Sequence, residues 1–578
     1  MYRYLYVLVI LLCLGGAAEL LAQDPTPSPT PVVIDKQSTE PENIKGVPDI
    51  APAFRSDERG LPDLGRVGVD MLRQRTMTLK EAIELAMENN KDIEVSRTTV
   101  RSAEFDLAAA RGFYQPRLSG QTYYDRSTTP NVSIFSNNQE TTVGTLVGNA
   151  QVQAFAPNYG TVFTGGFNNS RVTTDNPISI LSPQYNTGLT FSITQPIFRG
   201  RKFDQQRRTI EIAKRNISLT DTQFRQRSIE VVAGVERAYW DLTFALRNLQ
   251  VQRDAVRDAK DQLEHNRRLV AEGQLAPIDI IASETQVANF EQAVYDALNI
   301  VNTAENALKN LVSPNRNGAL WAEAITPVEP VEVAAPRTTL TEAINMAIEN
   351  RPEIEINKAQ RELNAVDQRF YKEQSKPQID FVASYGTSGI GGGQNPNFSP
   401  NFPTPCSTDP GSPACQQQQA NLALLTGNPF SGLFAQRYPV LRFGINFSLP
   451  LFGDKTAEAQ LGKALVEAER IETQREQVEQ SIQVDVRNAL QAIRTNEARL
   501  RSAAIARENS IKQYESEQRK LNEGQSDVYK VLERQTALTV ARSNELRART
   551  DLNKAIAELE RVTGSSLKAN DIVPKVKK

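Results

Sequence analysis

The sequence predicts a mixed α/β membrane protein in which each chain is an internal duplication. Three observations in its 578 residues carry this prediction. Blocks of sequence recur in the same order, which marks a repeated structural unit. Long proline-free stretches with a seven-residue apolar repeat predict coiled-coil helices. Short segments in which apolar and polar residues alternate predict strands with one apolar and one polar face.

The chain begins with a segment typical of exported proteins. Arg3 precedes an unbroken apolar run at 5–14, and Leu-Leu-Ala at 20–22 offers a cleavage site. Residues 1–22 are therefore predicted to be a signal peptide, with an uncleaved N-terminal anchor as the alternative. Residues 23–77 are interpreted as a proline-rich N-terminal leader that is extended or disordered. No later run of 18 apolar residues occurs, so no transmembrane helix is predicted in the mature chain.

Four sequence blocks occur twice, in the same order, which indicates that one unit was duplicated. The pairs are TLKEAIELAMENNKDI (78–93) with TLTEAINMAIENRPEI (339–354), Pro116 with Pro377, LTFSITQPIFRG (189–200) with INFSLPLFGD (445–454), and RLVAEGQ (268–274) with RKLNEGQ (519–525). The duplication predicts a first structural repeat at 78–318, an inter-repeat linker at 319–338, a second repeat at 339–567 and a C-terminal tail at 568–578.

Each repeat is predicted to open with one helix, placed at 78–112 in the first repeat, and to continue into a β region. Two membrane-type strands are expected per repeat, and therefore about four per chain. Long loops are expected at 126–184 and 386–437, although APNYGT at 156–161 could turn an extra hairpin. The alternation is clearest in Leu189, Phe191, Ile193 and in Phe443, Ile445, Phe447, Leu449.

The second part of each repeat is predicted to be a long helical hairpin. The first helix, at 203–270, would be roughly 105 Å long at 1.5 Å per residue, and its twin lies at 455–523. Gly273 and Gly524 are expected to end these helices. Two apolar series spaced by seven predict a coiled-coil seam: Phe203, Ile210, Ile217, Phe224, Val231, Ala238, Ala245, and Val235, Leu242, Leu249, Val256, Leu263, Val270. Helices are expected to fold back at 277–312 and 526–563.

Composition excludes several classes of site. The net charge of −2 provides no basic surface for nucleic acid. One histidine, His265, excludes a site built from two imidazoles of one chain, and it is interpreted as a surface or inter-helix residue rather than a pH sensor. Three cysteines cannot form a four-cysteine zinc site. In an exported chain, Cys406 and Cys415 are predicted to form a disulfide, with two free thiols as the alternative.

Four strands cannot span a bilayer alone, because their open edges would leave backbone groups unpaired in hydrocarbon. Several chains must therefore contribute to one closed barrel. Three chains of four strands would give twelve, which exceeds the eight that side chains can fill and leaves a lumen. The apolar content of 39% and mean hydropathy of −0.43 suit a hollow assembly with a wet interior.

The duplicated repeats, the TLxEAIxxAxxN openings, the strand ends FSITQPIF and FSLPLF and the glycine-turned helical hairpins resemble the TolC-type outer-membrane efflux proteins. The resemblance covers about 78–567. It implies a homotrimer with a 12-stranded outer-membrane β-barrel, surrounded by outer-membrane lipid and continued by a periplasmic α-helical barrel. It also implies the exit duct of a tripartite efflux pump or type I secretion system. The implied partners are a periplasmic adaptor and, indirectly, an inner-membrane transporter, with no cofactor and no nucleic acid.

The resemblance also assigns roles to the two helix turns. It implies that Gly273, Gln274, Gly524 and Gln525 contact the adaptor, although a helix-ending glycine alone would explain both glycines. Family members often carry acidic residues six and nine positions after the glycine, around the entrance. Those positions hold Asp279 and Ala282 in the first turn, and Lys530 and Glu533, with Asp527 nearby, in the second. Lys530 departs from the pattern, and a local Lys530–Glu533 pair is the alternative to a gate.

Two other function classes fit the sequence less well than a passive export channel. A non-conducting structural coiled-coil protein would have no use for amphipathic strands, and an enzyme would require a catalytic constellation that the sequence does not contain. Within the channel class the sequence does not separate drug, metal and protein export.

Overall fold

The computed structural model describes residues 65–131, 139–330, 334–399, 403–449 and 454–573. The predicted signal peptide and residues 23–64 of the predicted leader lie outside these ranges. The helices are α1 (Leu79–Asn89), α2 (Lys91–Arg111), α3 (Gln205–Ala271), α4 (Ile278–Val312), α5 (Leu340–Asn350), α6 (Pro352–Gln374), α7 (Pro405–Thr408), α8 (Pro413–Leu425), α9 (Pro429–Phe434), α10 (Lys455–Asn522), α11 (Val528–Val562) and α12 (Ser566–Ala569). The strands are β1 (Asp70–Met77), β2 (Arg117–Pro130), β3 (Glu140–Phe155), β4 (Val162–Thr174), β5 (Leu181–Pro196), β6 (Glu323–Pro327), β7 (Gln378–Gln394) and β8 (Tyr438–Ser448).

The main helices of the two predicted repeats correspond one to one. α1 and α5 both have 11 residues, α2 and α6 have 21 and 23, α3 and α10 have 67 and 68, and α4 and α11 both have 35. The bounds of α3 and α10 differ from the predicted 203–270 and 455–523 by at most two residues. The β regions do not correspond in this way, because β3 and β4 have no counterpart among the described residues of the second half.

The prediction of one helix at 78–112 is wrong, because the chain breaks at Asn90 into α1 and α2. The Asn90 side chain accepts hydrogen bonds from the backbone N–H groups of Asp92 (2.9 Å) and Ile93 (3.4 Å). An asparagine in this position starts a new helix by capping its free N–H groups. In the second half, Pro352 at the first position of α6 makes the equivalent break.

The coiled-coil prediction places most of the core correctly. α3 packs against α4 along its second half, and the heptad residues Val235, Leu242 and Leu249 are almost fully buried. The same core continues across α1 and α2, through Ile83, Ile93 and Val100. A second core joins α10 and α11 with α5.

The leader and the linker are more ordered than predicted. Residues 70–77 form β1, which pairs in parallel with β6 inside the predicted 319–338 linker. Tyr239, fully buried in α3, holds this ribbon in place. Its hydroxyl donates to the carbonyl of Met77 (3.0 Å) and accepts from the N–H groups of Val328 and Glu329, both at 3.2 Å. Strand pairing between segments about 250 residues apart leaves no local pattern to detect.

The predicted tail also contains structure. α12 crosses the boundary at residue 567, and Leu567 is buried against the core that contains α1. Asn570 bonds to Glu236 in α3. The tail therefore completes the packing of the helical region up to Val573.

The prediction of four strands per chain, on which the twelve-stranded barrel rested, is also wrong. The described residues form one antiparallel sheet of six strands in the order β2-β3-β4-β5-β7-β8. The residues interpreted as a loop at 126–184 contain β3 and β4, and the 156–161 turn does form the extra hairpin. Their many glycine, asparagine and threonine residues weaken the apolar alternation that identifies a strand.

The second expected loop, at 386–437, contains the end of β7 and the short helices α7, α8 and α9. A disulfide joins Cys406 in α7 to Cys415 in α8, with Cα atoms 4.5 Å apart. α9 packs on the sheet through Phe430, whose ring stacks on Phe167 of β4 at 6.4 Å between centroids. This insertion therefore lies against the strands rather than projecting from them.

Candidate functional site

The turn between α3 and α4 is closed by backbone geometry that favours glycine. Gly273 has a φ of +75°. The N–H of Gln274 donates to the carbonyl of Leu269 (2.8 Å), and the N–H of Gly273 donates to that of Val270 (3.0 Å). This pair of bonds is a Schellman motif, which satisfies the last carbonyls of a helix and requires a left-handed residue.

The turn between α10 and α11 repeats this arrangement. Gly524 has a φ of +70°, and its N–H donates to Leu521 (3.0 Å). The N–H of Gln525 donates to Lys520 at 2.8 Å. Both turns therefore have the conformation predicted from a helix-ending glycine, and both expose the glutamine that follows.

Substituting Gly524 with alanine tests the conformational role of this residue. A Cβ at Gly524 meets nothing within 4 Å, so the change adds only the strain of a left-handed L-residue, about 1 kcal/mol. We expect faster hydrogen exchange at residues 521–528 in Gly524→Ala, with little change in the thermal midpoint. Gly462→Ala is the control, since Gly462 lies inside α10 with equally open space and alanine there should stabilise the helix by about 0.5–1 kcal/mol. If hydrogen exchange at 521–528 were no faster in Gly524→Ala than in Gly462→Ala, the conformational role of Gly524 would be contradicted.

The two turns lie side by side at one end of the helices. Leu521, Val528, Val531 and Leu532 form a small core to which Leu275 and Ala282 of the other turn contribute. His265 Nε2 lies 3.0 Å from Asn522 Oδ1, and Gln286 donates to Thr536 at 2.8 Å. The structure therefore brings together the four predicted adaptor-contact residues of one chain at a single end.

The candidate gate residues have mainly local contacts. Asp527 is the N-cap of α11, accepting from the N–H of Lys530 at 3.0 Å, and the Lys530 Nζ lies 3.1 Å from its other oxygen. Both bonds favour the carboxylate form and hold the pKa of Asp527 below its ordinary value. The alternative in which Lys530 pairs with Glu533 is therefore wrong, since Asp527 is its partner. Glu533 is exposed on the next turn of the helix.

The first turn contributes one acidic candidate. Asp279 lies in the first turn of α4, where Oδ2 accepts from the N–H of Ala276 at 3.2 Å. Ala282, at the position where the family often has an acid, instead packs against the small core between the turns. Ala282 therefore supports the contact between the two turns instead of contributing a charge.

Exposed apolar side chains around the turns were not identified from the sequence. Ile278 is 65% exposed, Ile281 58% and Tyr529 74%. Each lies in the first turn of α4 or α11, on the face that is otherwise polar. An apolar residue on the polar face of an amphipathic helix is the sequence pattern that could have revealed them. Such exposed apolar groups beside polar residues are typical of a protein-binding surface.

The described part of the chain contains neither a candidate metal site nor a candidate membrane-spanning helix. No group of three or more histidine, cysteine or acidic residues there is arranged to hold a metal ion. None of the helices within the described ranges combines the length and the apolar character of a membrane span.

Comparison with known proteins agrees with this architecture. A family model described as outer membrane efflux protein matches residues 148–313 and 343–565. The fold is similar to the Campylobacter jejuni CmeC outer membrane channel, at 14% identity over 84% of this chain and 86% of that chain, with a TM-score of 0.59. It is also similar to the open state of the Neisseria gonorrhoeae MtrE outer membrane channel, at 16% identity over 85% and 89%, with a TM-score of 0.56.

A third solved structure, of the transmembrane channel protein CusC, matches with 14% identity over 84% of this chain and 92% of that chain, at a TM-score of 0.59. No curated protein sequence matches significantly. At these identities the solved structures show the fold, whereas the family model covers more than half of the chain. The chain therefore belongs to the outer membrane efflux protein family.

Proposed function

We propose that this protein is the passive export duct of a tripartite efflux or type I secretion system, formed by three copies of an internally duplicated chain. The observation that carries the proposal is the open sheet. In the described part of the chain β2 and β8 each pair with one neighbour, and both strands are exposed at every residue. Open edges of this length are not viable in hydrocarbon, so β8 of one copy pairs with β2 of the next until the barrel closes.

The long helices support an extension into the periplasm. α3 and α10 have 67 and 68 residues, and each spans about 100 Å at 1.5 Å per residue. Their first turns lie next to the sheet and their last turns form the candidate site. A helical cylinder made from three such chains therefore reaches from the membrane to a distant entrance.

The number of copies is supported by the TolC-type resemblance, which implies a homotrimer, and by the matched helix lengths of the two halves. Three chains with two similar helical hairpins each surround the axis with six similar units. Because each chain already contains two similar hairpins, three copies are enough to close the cylinder.

A planar bilayer recording tests the conducting function. The purified protein is expected to produce step-like currents in at least one gating condition. Absence of any step under all conditions, with membrane insertion verified, would favour a non-conducting structural protein instead.

The helix turns are proposed to contact the periplasmic adaptor. Gln274 and Gln525 are exposed beyond the ends of α3 and α10, with Ile278 and Tyr529 beside them. A cysteine introduced at Gln274 or Gln525 is expected to crosslink to an adaptor protein in intact cells. A cysteine at Glu104, exposed on α2 far along the chain from both turns, is the control and should not capture the same protein. Equal capture from all three positions would contradict the assignment.

Asp279 and Glu533 are proposed to give the entrance a negative charge. In a trimer each contributes three carboxylates, and rings of acidic side chains favour cations. Asp279→Ala combined with Glu533→Ala should therefore lower the cation preference and move the reversal potential in a salt gradient towards zero. Glu104→Ala removes an exposed carboxylate elsewhere and should leave the reversal potential unchanged. An unchanged potential in the double variant would reject the acidic ring.

A further inference from the structure

We infer that the hairpin of β3 and β4 is part of the lipid-facing barrel wall, so that three chains close a barrel of eighteen strands with a wide lumen. The inference rests on the proposed function, because it assumes that β8 of one chain pairs with β2 of the next. It goes further by assigning the inserted hairpin to the membrane and by enlarging the cross-section of the exported solute that the barrel admits.

The hairpin is built into the middle of the sheet and does not lie on its surface. β3 pairs with β2 from Pro130↔Glu140 to Arg117↔Gln153, without a register shift. β4 pairs with β3 and with β5, also without a register shift. β2 and β5 are therefore separated by two full strands. A barrel that included β2 and β5 but left out the hairpin would have to break the hydrogen bonds between β2 and β3 and those between β4 and β5.

Apolar residues of the hairpin lie on the same side as those of the other strands. Residues directly opposite each other in paired strands point to the same face, so rows can be followed across the sheet. One row, from β3 to β8, consists of Ala154, Phe163, Ile193, Ala383 and Phe443. Another crosses all six strands through Leu118, Val152, Gly165, Phe191, Tyr385 and Leu441.

At this level of the strands the opposite side of the sheet is polar. The row between these two consists of Arg117, Gln153, Thr164, Ser192, Ser384 and Arg442. Two arginines on this side make it unsuitable for hydrocarbon, whereas a water-filled lumen accommodates them. The inserted strands thus share the apolar-out, polar-in alternation of a membrane barrel, in phase with the other four strands.

The turn of the hairpin is attached where the sheet meets the helices. Arg207, in the first turn of α3, donates from Nη1 to the carbonyl of Asn158 (3.1 Å). The ring of Phe155 lies 4.3 Å from that of Phe113 between centroids. Gly160 has a φ of +68°, and a Cβ there would lie 2.8 Å from the carbonyl oxygen of Gly200. The hairpin therefore starts at the same level as the other strands.

The occupant of the apolar face is the hydrocarbon of the outer membrane. The face continues without a charged residue through the rows of Phe163 and Val152, and several of its side chains are exposed, including Phe163 (45%) and Phe443 (65%). Farther from the helices α9 covers part of the same face, with Thr387 donating to the carbonyl of Leu433 at 3.3 Å. Lipid contact is thus assigned to the part of the face nearer the helices.

The width of the lumen follows from the strand number. Barrel diameter grows roughly linearly with the number of strands, so eighteen strands give a diameter about one and a half times that of twelve. Barrels of 16–18 strands leave an aqueous channel. The barrel therefore admits solutes of larger cross-section than a twelve-stranded barrel of the same tilt.

Site-specific fluorescence quenching tests the assignment in the full-length trimer. A bimane label is attached to a single cysteine at Phe163 or Thr164 in the hairpin, in a Cys13→Ala background with the Cys406–Cys415 disulfide left oxidised. Phe443 and Arg442 provide the matched pair in β8, since Phe163 shares a row with Phe443 and Thr164 shares one with Arg442. We expect brominated lipid to quench the labels at 163 and 443, and aqueous iodide to quench those at 164 and 442.

The outcomes separate this inference from the proposed function. Lipid quenching at 443 together with iodide quenching at 163 would place the hairpin outside the wall, overturning the inference while leaving the duct intact. Failure of lipid to quench the label at 443 would overturn the proposed barrel itself, and the inference with it.

A deletion gives an independent measurement of the width. Removing residues 140–174 leaves β2 and β5 antiparallel to each other, so they can pair directly. In conducting trimers of this variant, the largest neutral polymer radius admitted from the extracellular side should fall by about one third. An unchanged limit in a variant that still inserts and conducts would contradict the eighteen-stranded barrel.

Discussion

Glu305→Ala is expected to destabilise the chain by about 3–5 kcal/mol, because it removes the counter-ion of two buried cations. The Glu305 side chain is fully buried in α4. Its Oε2 lies 2.8 Å from Arg66 Nη1, and its Oε1 lies 3.6 Å from Lys309 Nζ. The same Oε1 accepts from the backbone N–H of Ile325 in β6 at 2.7 Å. One carboxylate therefore joins the helical hairpin to the β1–β6 ribbon.

In the described contacts neither cation has another carboxylate within 4.0 Å, although the charge of Glu323 also favours the protonated form of Lys309. Lys309 is also fully buried, and its second bond is to the backbone carbonyl of Trp321 at 3.0 Å. Burial already lowers the pKa of Lys309, against the opposing attraction of Glu305. Loss of that attraction leaves a charged group in the core, or forces it to lose its proton.

The measurement is the midpoint of thermal unfolding in detergent, compared with a control on the same helix. Glu291 pairs with Lys260 at 2.8 Å but remains 25% exposed, and Glu291→Ala should cost about 0–1 kcal/mol. Glu305→Gln keeps an acceptor for Ile325 and should fall between the two. Equal shifts of the thermal midpoint in Glu305→Ala and Glu291→Ala would show that the buried carboxylate of Glu305 stabilises the chain no more than the partly exposed Glu291 does.

Raising the pH from 5 to 9 is expected to destabilise the helical region through Glu236. Burial is the main cause that raises the pKa of this carboxyl to about 8, with the nearby Glu560 acting in the same direction. A hydrogen bond of 3.0 Å from Asn570 and the charge of Arg237 oppose the shift. Folding therefore favours the protonated form of Glu236.

The sign of the effect follows from the difference between the folded and unfolded states. Because the folded pKa lies above the ordinary value of 4.5, the stabilisation is complete below pH 4.5 and is lost as the pH rises through about 8. The total change is on the order of 4 kcal/mol. The thermal midpoint should accordingly fall across this window.

Glu236→Gln should remove most of this pH dependence and raise the midpoint at pH 9. Burial also raises the pKa of Glu560. This second carboxyl is expected to leave a smaller dependence of the thermal midpoint on pH in the variant. Glu264→Gln, an exposed position on the same helix, is the control and should keep the full slope of the unmodified protein. A full slope in Glu236→Gln would assign the effect to another group.

The parts of the candidate site that could be predicted are those with local causes. Gly273 and Gly524 end helices whose apolar spacing is visible in the sequence, and the Schellman motif depends on one left-handed residue at each end. The charges at the same turns were less predictable. Asp527 could act as a cap or as a free carboxylate, and only the structure shows that it caps α11 and pairs with Lys530.

The strand count shows why the β region was harder to predict. β3 and β4 contain many small and polar residues, and their alternation becomes clear only when each residue is placed beside its partner, as Val152 is beside Leu118. The β1–β6 ribbon was missed for a similar reason, since β1 alone reads as DMLRQRTM with no clear apolar face.

By itself, the sequence determined the long helices of the two hairpins, their lengths and their ends, because helical hydrogen bonds join residues four apart and the apolar heptads lie within one segment. It also determined the family, through motifs repeated in order. Only the tertiary structure decided how many strands share one sheet, which face of each is apolar and which charges are buried together. Strand pairing and ion pairing such as that of Glu305 with Arg66 join distant residues, so the partner that defines them is not encoded in the local pattern.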